Sequence, residues 1–161
     1  AESVNLSEMV EELCEDASVL APGLKTEAQI QPGLVVEADA DLLSHVLRNL
    51  LSNAVKYNVE DGWIRLELMR ARDSVQIRIA NSGRSIQGED RQRIFERFHR
   101  VQTALDAKVE GVGLGLGLAR EIARAHGGDL CLEEGVADSV AFLVSLPGRS
   151  CDADAPPNPP E

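Results

Sequence analysis

Between His45 and Lys56 the chain sets out a stripe of small polar side chains: His45, Asn49, Ser52, Asn53 and Lys56. On a helix at roughly 100° per residue these fall within about 100° of one another. Leu43, Leu47, Leu50 and Ala54 take the opposite face. A solvated face of an amphipathic helix gives the same division. Such faces favour Glu, Lys and Gln, however, whereas the Asn amide competes with the helix backbone. An Asn carbonyl is a neutral hard oxygen of the kind that ligates Mg²⁺, and a Lys one turn on can neutralise phosphate oxygens. Both readings stand on spacing alone.

A second block, Gly111-Val-Gly-Leu-Gly-Leu-Gly-Leu118, precedes a helix expected from about Leu114 to His126-Gly127-Gly128. Glycines let a backbone pass close to a ligand, and a helix N-terminus offers free N–H groups to an anion. A flexible joint is the plain alternative. No Gly-Lys-Ser/Thr is present, so this is not a P-loop. No strand precedes Gly111, so it is not a dinucleotide fold. Just upstream, Arg84, Arg91, Arg93, Arg97 and Arg100 stand against Glu89, Asp90 and Glu96. This reverses the sign of a chain whose net charge is −11. Ion pairs on a short helix account for Arg91 and Arg93; Arg97 and Arg100 border an irregular loop and are better placed to meet an anion.

The elements that would position these blocks follow from periodicity. Leu6, Met9, Val10, Leu13, Ala17 and Leu20 recur at helical spacing after Ser7 as N-cap, and Pro22-Gly23 stops that helix. Two short strands follow, one alternating through Leu24, Thr26, Ala28 and Ile30, the other at Leu34-Val35-Val36, with Pro32-Gly33 turning between them. Asp39 or Asp41 caps a helix running to about Tyr57. Ile64-Leu66-Leu68 and Val75-Ile77-Ile79 alternate with polar residues and form a central hairpin around Arg72-Asp73. A turn at Asn81-Ser82-Gly83, a short helix over 90–98 and irregular chain fill the stretch to Gly113, and strands over 129–133 and 139–146 close the domain. Paired strands dominate, which predicts an α/β two-layer sandwich: a mixed, mostly antiparallel sheet with helices on one face. Residues 1–150 make the domain. Residues 151–161, rich in Pro and acid, make a disordered tail.

Composition bounds the function. There are 16 Lys plus Arg against 27 Asp plus Glu, which argues against a nonspecific nucleic-acid binder. Hydrophobic residues at 43 % support a core, and aromatics at 3 % make that core aliphatic. No apolar run reaches the ~20 residues needed to cross a bilayer. Cys14, Cys131 and Cys151 are too few and too scattered for a disulfide framework or a zinc site, and read as reduced thiols. The start at Ala1 suggests a piece of something longer.

The blocks together resemble the signature of sensor histidine kinases. His45-Val-Leu-Arg-Asn-Leu-Leu-Ser-Asn-Ala-Val-Lys-Tyr57 resembles their N box. Asn81-Ser-Gly-Arg-Ser-Ile86 resembles the first glycine box, and Arg93-Ile-Phe-Glu-Arg-Phe-His-Arg100 the F box. Gly111-Val-Gly-Leu-Gly-Leu116 is similar to the second glycine box. The resemblance spans about residues 5–147 and implies a catalytic and ATP-binding domain of the Bergerat type, with ATP and Mg²⁺ as cofactors. Position by position it implies that Asn53 ligates Mg²⁺ with help from Asn49, and that Lys56 meets a phosphate. Tyr57 packs near adenine, Asn81 accepts from the adenine amine, Gly83 lets the chain pass the base, and Ile86 and Leu114 join the pocket. Arg100 reaches the terminal phosphates from a lid over 99–112, while Gly111, Gly113 and Gly115 hinge the lid and cradle phosphate.

Asn49, Lys56 and Arg100 are then the catalytic set. Hydrolysing relatives carry a Glu where Asn49 stands; an amide cannot take a proton there, so transfer is favoured over hydrolysis. Two positions depart from the pattern: Asn81 replaces an Asp and Ser85 a Gly. A degenerate domain serving as a scaffold without nucleotide is the alternative reading. No acceptor-histidine hairpin is present, so the resemblance implies a partner dimerisation domain outside this chain. It also implies a response regulator downstream and a cytoplasmic location, as the cytoplasmic portion of a membrane-bound sensor kinase, with no direct membrane contact from this fragment; the charge balance already argues for no nucleic-acid contact. His45, His99 and His126 are not expected to be phosphorylated.

Overall fold

The computed structural model describes residues 2–86, 93–95, 112–133 and 138–150. In chain order the elements are β1 (Glu2–Asn5), α1 (Leu6–Leu20), β2 (Lys25–Ile30), β3 (Leu34–Ala38), α2 (Ala40–Lys56), β4 (Trp63–Ala71), β5 (Ser74–Ser82), α3 (Val112–Ala125), β6 (Asp129–Leu132) and β7 (Ser139–Ser150). The strands form one sheet in the order β1-β3-β7-β5-β4-β2, with β6 pairing β7. β2 runs parallel to β4, and the other described pairs are antiparallel.

The expected α/β sandwich is what forms, and alternation explains it. Ile64, Leu66 and Leu68 of β4 and Val75, Ile77 and Ile79 of β5 are buried on one face. α1 lies against β2, β3 and β4, α2 against β5, and α3 against β6 and β7. Leu6, Val10 and Leu13 of α1 meet Val46, Leu47, Leu50 and Leu51 of α2 in the same core. Each such side chain contributes roughly 1.5–3 kcal/mol by leaving water. The opposite face carries ion pairs instead: Arg65–Glu27 at 3.4 Å, Arg78–Glu67 at 3.2 Å and Arg78–Glu133 at 2.8 Å. These paired charges at Arg65, Glu67 and Arg78 make that side polar at the centre of the sheet. The central hairpin turns at Arg72, whose φ of 58° is left-handed.

Three local expectations are corrected. β1 has no counterpart in the sequence reading; it exists because it pairs with β3, Val4 opposite Val36. The N-cap of α1 is Asn5, whose side chain accepts from Glu8 N at 3.1 Å, not Ser7. Ser7 is buried, its hydroxyl donating to Gln31 O at 2.6 Å and accepting from Leu34 N at 3.0 Å, so it ties α1 to the turn before β3. The residues Asn81 and Ser82 are not a turn but the end of β5.

At the start of α2, Asp39 rather than Asp41 is the cap, accepting from Asp41 N and Leu42 N. At the end of α3, Gly127 adopts φ 86° and Gly128 N reaches back to Ala123 O at 3.0 Å, the expected glycine stop. The expected helix over 90–98 is described only at 93–95, where Ile94 is buried and Phe95 meets Phe142 edge-on at 6.2 Å. The tail 151–161 lies outside the described residues. Burial first, then Glu15, pushes the Cys14 thiol up; burial, then Asp129 and Glu133, does the same to Cys131. Neither favours a reactive thiolate.

Two outcomes follow from these ties. Ser7→Ala strands Leu34 N–H in the core and should cost about 1–3 kcal/mol in denaturant unfolding. Burial raises the Asp129 carboxyl, but hydrogen bonds from Arg120, Leu130 N–H and Arg124 outweigh it and hold it below the usual carboxylate range. Its stabilisation is therefore present above the unfolded carboxylate value and lost as pH falls through the folded one. Asp129→Asn should lower Tm by about 2–4 °C near neutrality, a small effect because the group is half exposed. The gap from the parent protein should close in scans taken towards about pH 3.

Candidate functional site

α2 presents its apolar face to the sheet and its polar stripe to α3. The middle of the stripe is not a solvated face. Asn53 is buried at 6 % exposure and Asn49 is half-buried, while His45 and Lys56 are exposed. Asn49 Nδ2 and Asn53 Nδ2 are buried with no hydrogen-bond partner. Leaving a buried amide unpaired costs roughly 1–3 kcal/mol, so two of them one turn apart mark a place built for something else to bind. The donor set suits Mg²⁺: each amide also carries a neutral oxygen, and rotation of the group exchanges the two ends.

α3 closes over this stripe. A Cβ on Gly115 would stand 2.5 Å from Asn49 Nδ2 and 2.8 Å from its Oδ1, so only glycine lets the helix come this near. α3 begins at Val112, earlier than the sequence suggested. Gly113 and Gly115 therefore lie inside its opening turns rather than in a hinge ahead of it. The N–H groups of that first turn have no intrahelical partner and carry the positive end of the helix dipole. Leu114 belongs to the same turn. Gly111 and Arg100, with most of the expected lid and F box, lie outside the described residues.

The other end of the cleft is made where α2 stops against β5. Tyr57 caps α2, its N–H donating to Asn53 O at 3.0 Å. Its carbonyl would lie 2.5 Å from a Cβ on Gly83, whose φ is +148°; glycine is required here on both counts. Asn81 is buried, and its Nδ2 donates to Ser82 O at 2.8 Å. That bond uses one of the two amide N–H donors and fixes which end of the group is nitrogen, leaving Oδ1 as the accepting end. Ser85 Oγ accepts from Asp138 N at 3.1 Å, and Gly83 N donates to Asp138 O at 3.0 Å. Ile86 is half-buried against the core.

The sequence-derived residues therefore gather along one line: Gly115 over Asn49, Asn53 and Lys56 along α2, then Tyr57 against Gly83 and Asn81. His126 takes no part. Its Nδ1 meets Ile122 O at 2.8 Å and its Nε2 accepts from Asp39 N at 3.1 Å, joining α3 to the start of α2. Sequence reasoning missed Asn58 and Gly62, which support the end of the cleft where α2 stops against β5; the adjacency of Asn58 to Tyr57 is the one trace of them in the chain. Among the described residues, no His/Cys/Asp/Glu group could hold a metal ion, and no helix is long and apolar enough to cross a membrane.

Residues 38–150 match the family of histidine kinase-, DNA gyrase B-, and HSP90-like ATPases. The chain is 34 % identical over 148 residues to the sensor protein VanSC of Enterococcus gallinarum, covering 91 % of this chain and 40 % of that protein. It spans between 12 % and 40 % of the length of the curated relatives it matches. Among solved structures it is similar to the mycobacterial sensor histidine kinase MprB, with a TM-score of 0.81 at 26 % identity over 92 % of this chain and 99 % of that one. It is also similar to the histidine kinase ThkA, solved in complex with the response regulator TrrA, with a TM-score of 0.72 at 27 % identity over 90 % of this chain and 41 % of that one. The chain belongs to the histidine kinase-, DNA gyrase B- and HSP90-like ATPase family, and within it to the catalytic, ATP-binding domains of sensor histidine kinases.

Proposed function

We propose that this domain binds ATP with Mg²⁺ along α2, between the first turn of α3 and the end of β5, and passes the γ-phosphoryl group to a histidine on a dimerisation domain outside this chain. The observation that carries the reading is the pair of buried, unpartnered amide nitrogens at Asn49, which lies beneath Gly115, and at Asn53 one turn on. In this reading Asn53, with Asn49 beside it, holds Mg²⁺, which when bound neutralises charge on the phosphates. Lys56 adds a cation at the exposed end of the stripe, and the free N–H groups of the α3 first turn, from Val112 through Gly113 and Leu114, receive phosphate oxygens. Asn81 Oδ1 accepts from the adenine amine beside Gly83, with Tyr57 and Ile86 against the base. Arg100 and Gly111 complete the phosphate end.

In the transfer, the bond from the γ-phosphorus to the bridging oxygen breaks, a bond to an imidazole nitrogen forms, and ADP leaves. The chain contributes positioning and charge stabilisation. Asn49 offers no proton acceptor, so water attack has no general base on that side. The nucleophile comes from the partner domain, and a response regulator would take the phosphoryl group onward, as the ThkA complex with TrrA suggests. A cytoplasmic location follows, since ATP is held there.

Asn53→Ala should reduce the affinity for an ATP analogue about tenfold in the presence of Mg²⁺, with little change in its absence, as read by calorimetry. Equal affinities under both conditions would remove the metal role from Asn53. Incubated alone with γ-labelled ATP, the chain should show no label on His45, His99 or His126 and little phosphate release. Adding its dimerisation domain in trans should label that domain's histidine, because proximity is what the isolated chain lacks.

A further inference from the structure

The side chains that hold the base end of the cleft are not those that line it. Asn58 uses its whole amide. Nδ2 donates to Ala54 O at 3.1 Å and Trp63 O at 2.9 Å, and Oδ1 accepts from Val59 N at 2.8 Å and from the Ser82 hydroxyl at 2.6 Å. Ser82 Oγ accepts in turn from Trp63 N at 2.8 Å. A Cβ on Gly62 would collide with both Asn58 Oδ1 and Ser82 Oγ, so glycine leaves the space in which these two groups meet. One part-buried knot thus ties the last turn of α2, the first residue of β4 and the last residue of β5.

The knot has a consequence for Asn81. β5 ends at Ser82, and strand ends fray unless something beyond the ladder holds them. Here the hydroxyl of Ser82 is fixed by Asn58 and Trp63, while its carbonyl fixes the Asn81 amide through Nδ2. The same Asn58 is anchored to Ala54 O, one residue from Asn53 on α2. The orientation of the Asn81 acceptor and its distance from the phosphate-side residues of α2 are therefore set by one hydrogen-bonded unit.

We infer that Asn58 and Ser82 are positioning residues for nucleobase selection: without touching the nucleotide, they aim Asn81 Oδ1 so that the site takes a purine bearing an exocyclic amine in preference to one bearing a carbonyl there. The inference rests on the ATP-binding reading above. A fixed acceptor facing an amine gains a bond, whereas facing a carbonyl it meets a second acceptor and is left unpaired. An Asn81 free to rotate would present either end and lose the distinction.

The test is calorimetric titration of the chain with ADP and with GDP, for the parent, Ser82→Ala and Asn58→Asp. Asn58→Asp keeps the acceptor for Ser82 but loses both donations. Folding of each variant is checked by circular dichroism. The quantity read is the ratio of the two dissociation constants, which a change in folded fraction leaves untouched because both constants scale alike. Ser82→Ala should weaken ADP about tenfold and bring the ratio towards one, with Asn58→Asp between it and the parent. The increment in affinity due to Mg²⁺ should stay as in the parent. An unchanged ratio in both variants, whether or not ADP weakens, overturns the positioning role and leaves the ATP reading intact. A parent chain that binds neither nucleotide overturns the ATP reading, and this inference with it.

Discussion

The cost of burying two unpartnered amides governs how this domain is built. Asn49 and Asn53 stand on a helix whose opposite side supplies Leu43, Leu47, Leu50 and Ala54 to the core. The helix cannot rotate to wet the amides without exposing the leucines, each worth roughly 1.5–3 kcal/mol of burial against about 1–3 kcal/mol for an unsatisfied amide. The apolar face wins, so the amides stay dry and unpaired. The sheet makes this possible. Its inner face of Ile64, Leu66, Leu68, Ile77 and Ile79 is a broad aliphatic floor, whereas its outer face is laced by Arg65, Glu67 and Arg78.

Close approach of α3 depends on the same arrangement. Glycine is a poor helix former, about 1 kcal/mol worse than alanine, yet α3 contains three in its first six residues, Gly113, Gly115 and Gly117. At Gly115 the reason is steric: any side chain there would occupy the volume of the Asn49 amide. Helical propensity is given up locally, and Leu116, Ala119, Ile122 and Ala123 further along α3 restore the loss by packing on the core. The result is a helix N-terminus set directly over the Asn49 amide.

Much of this was legible in the chain because it is written in local periods. Alternation at Ile64–Leu68 and Val75–Ile79 gave the hairpin, and the 3.6-residue period gave α2 with its polar stripe. What escaped depends on partners far away in sequence. β1 has one apolar residue, Val4, and becomes a strand only beside β3. Ser7 reads as a cap by type, but its hydroxyl is taken by Gln31 and Leu34, and Asn5 does the capping. Glycine signals a loop locally and packing on Asn49 overrides that signal, so α3 begins at Val112, ahead of the expected Leu114. Asn58 and Ser82 are 24 residues apart and of unremarkable type, so no spacing rule joins them.

The two departures from the family pattern are best understood through the bonds they make. Ser85 stands where a glycine is usual, and its hydroxyl accepts from Asp138 N, a bond glycine has no atom to make. Asn81 stands where an aspartate is usual, and its Nδ2 donates to Ser82 O, a bond an aspartate has no proton to make. A carboxylate in the same rotamer would set an anionic oxygen against that carbonyl and would have to turn away. On the proposed reading, charge assistance to the base amine is thus exchanged for a fixed neutral acceptor. Each unusual residue of this glycine box is wired to a backbone group of its own surroundings. Recognition in such a box rests on the aim of one oxygen, and aim is a property of the residues behind Asn81 as much as of Asn81 itself.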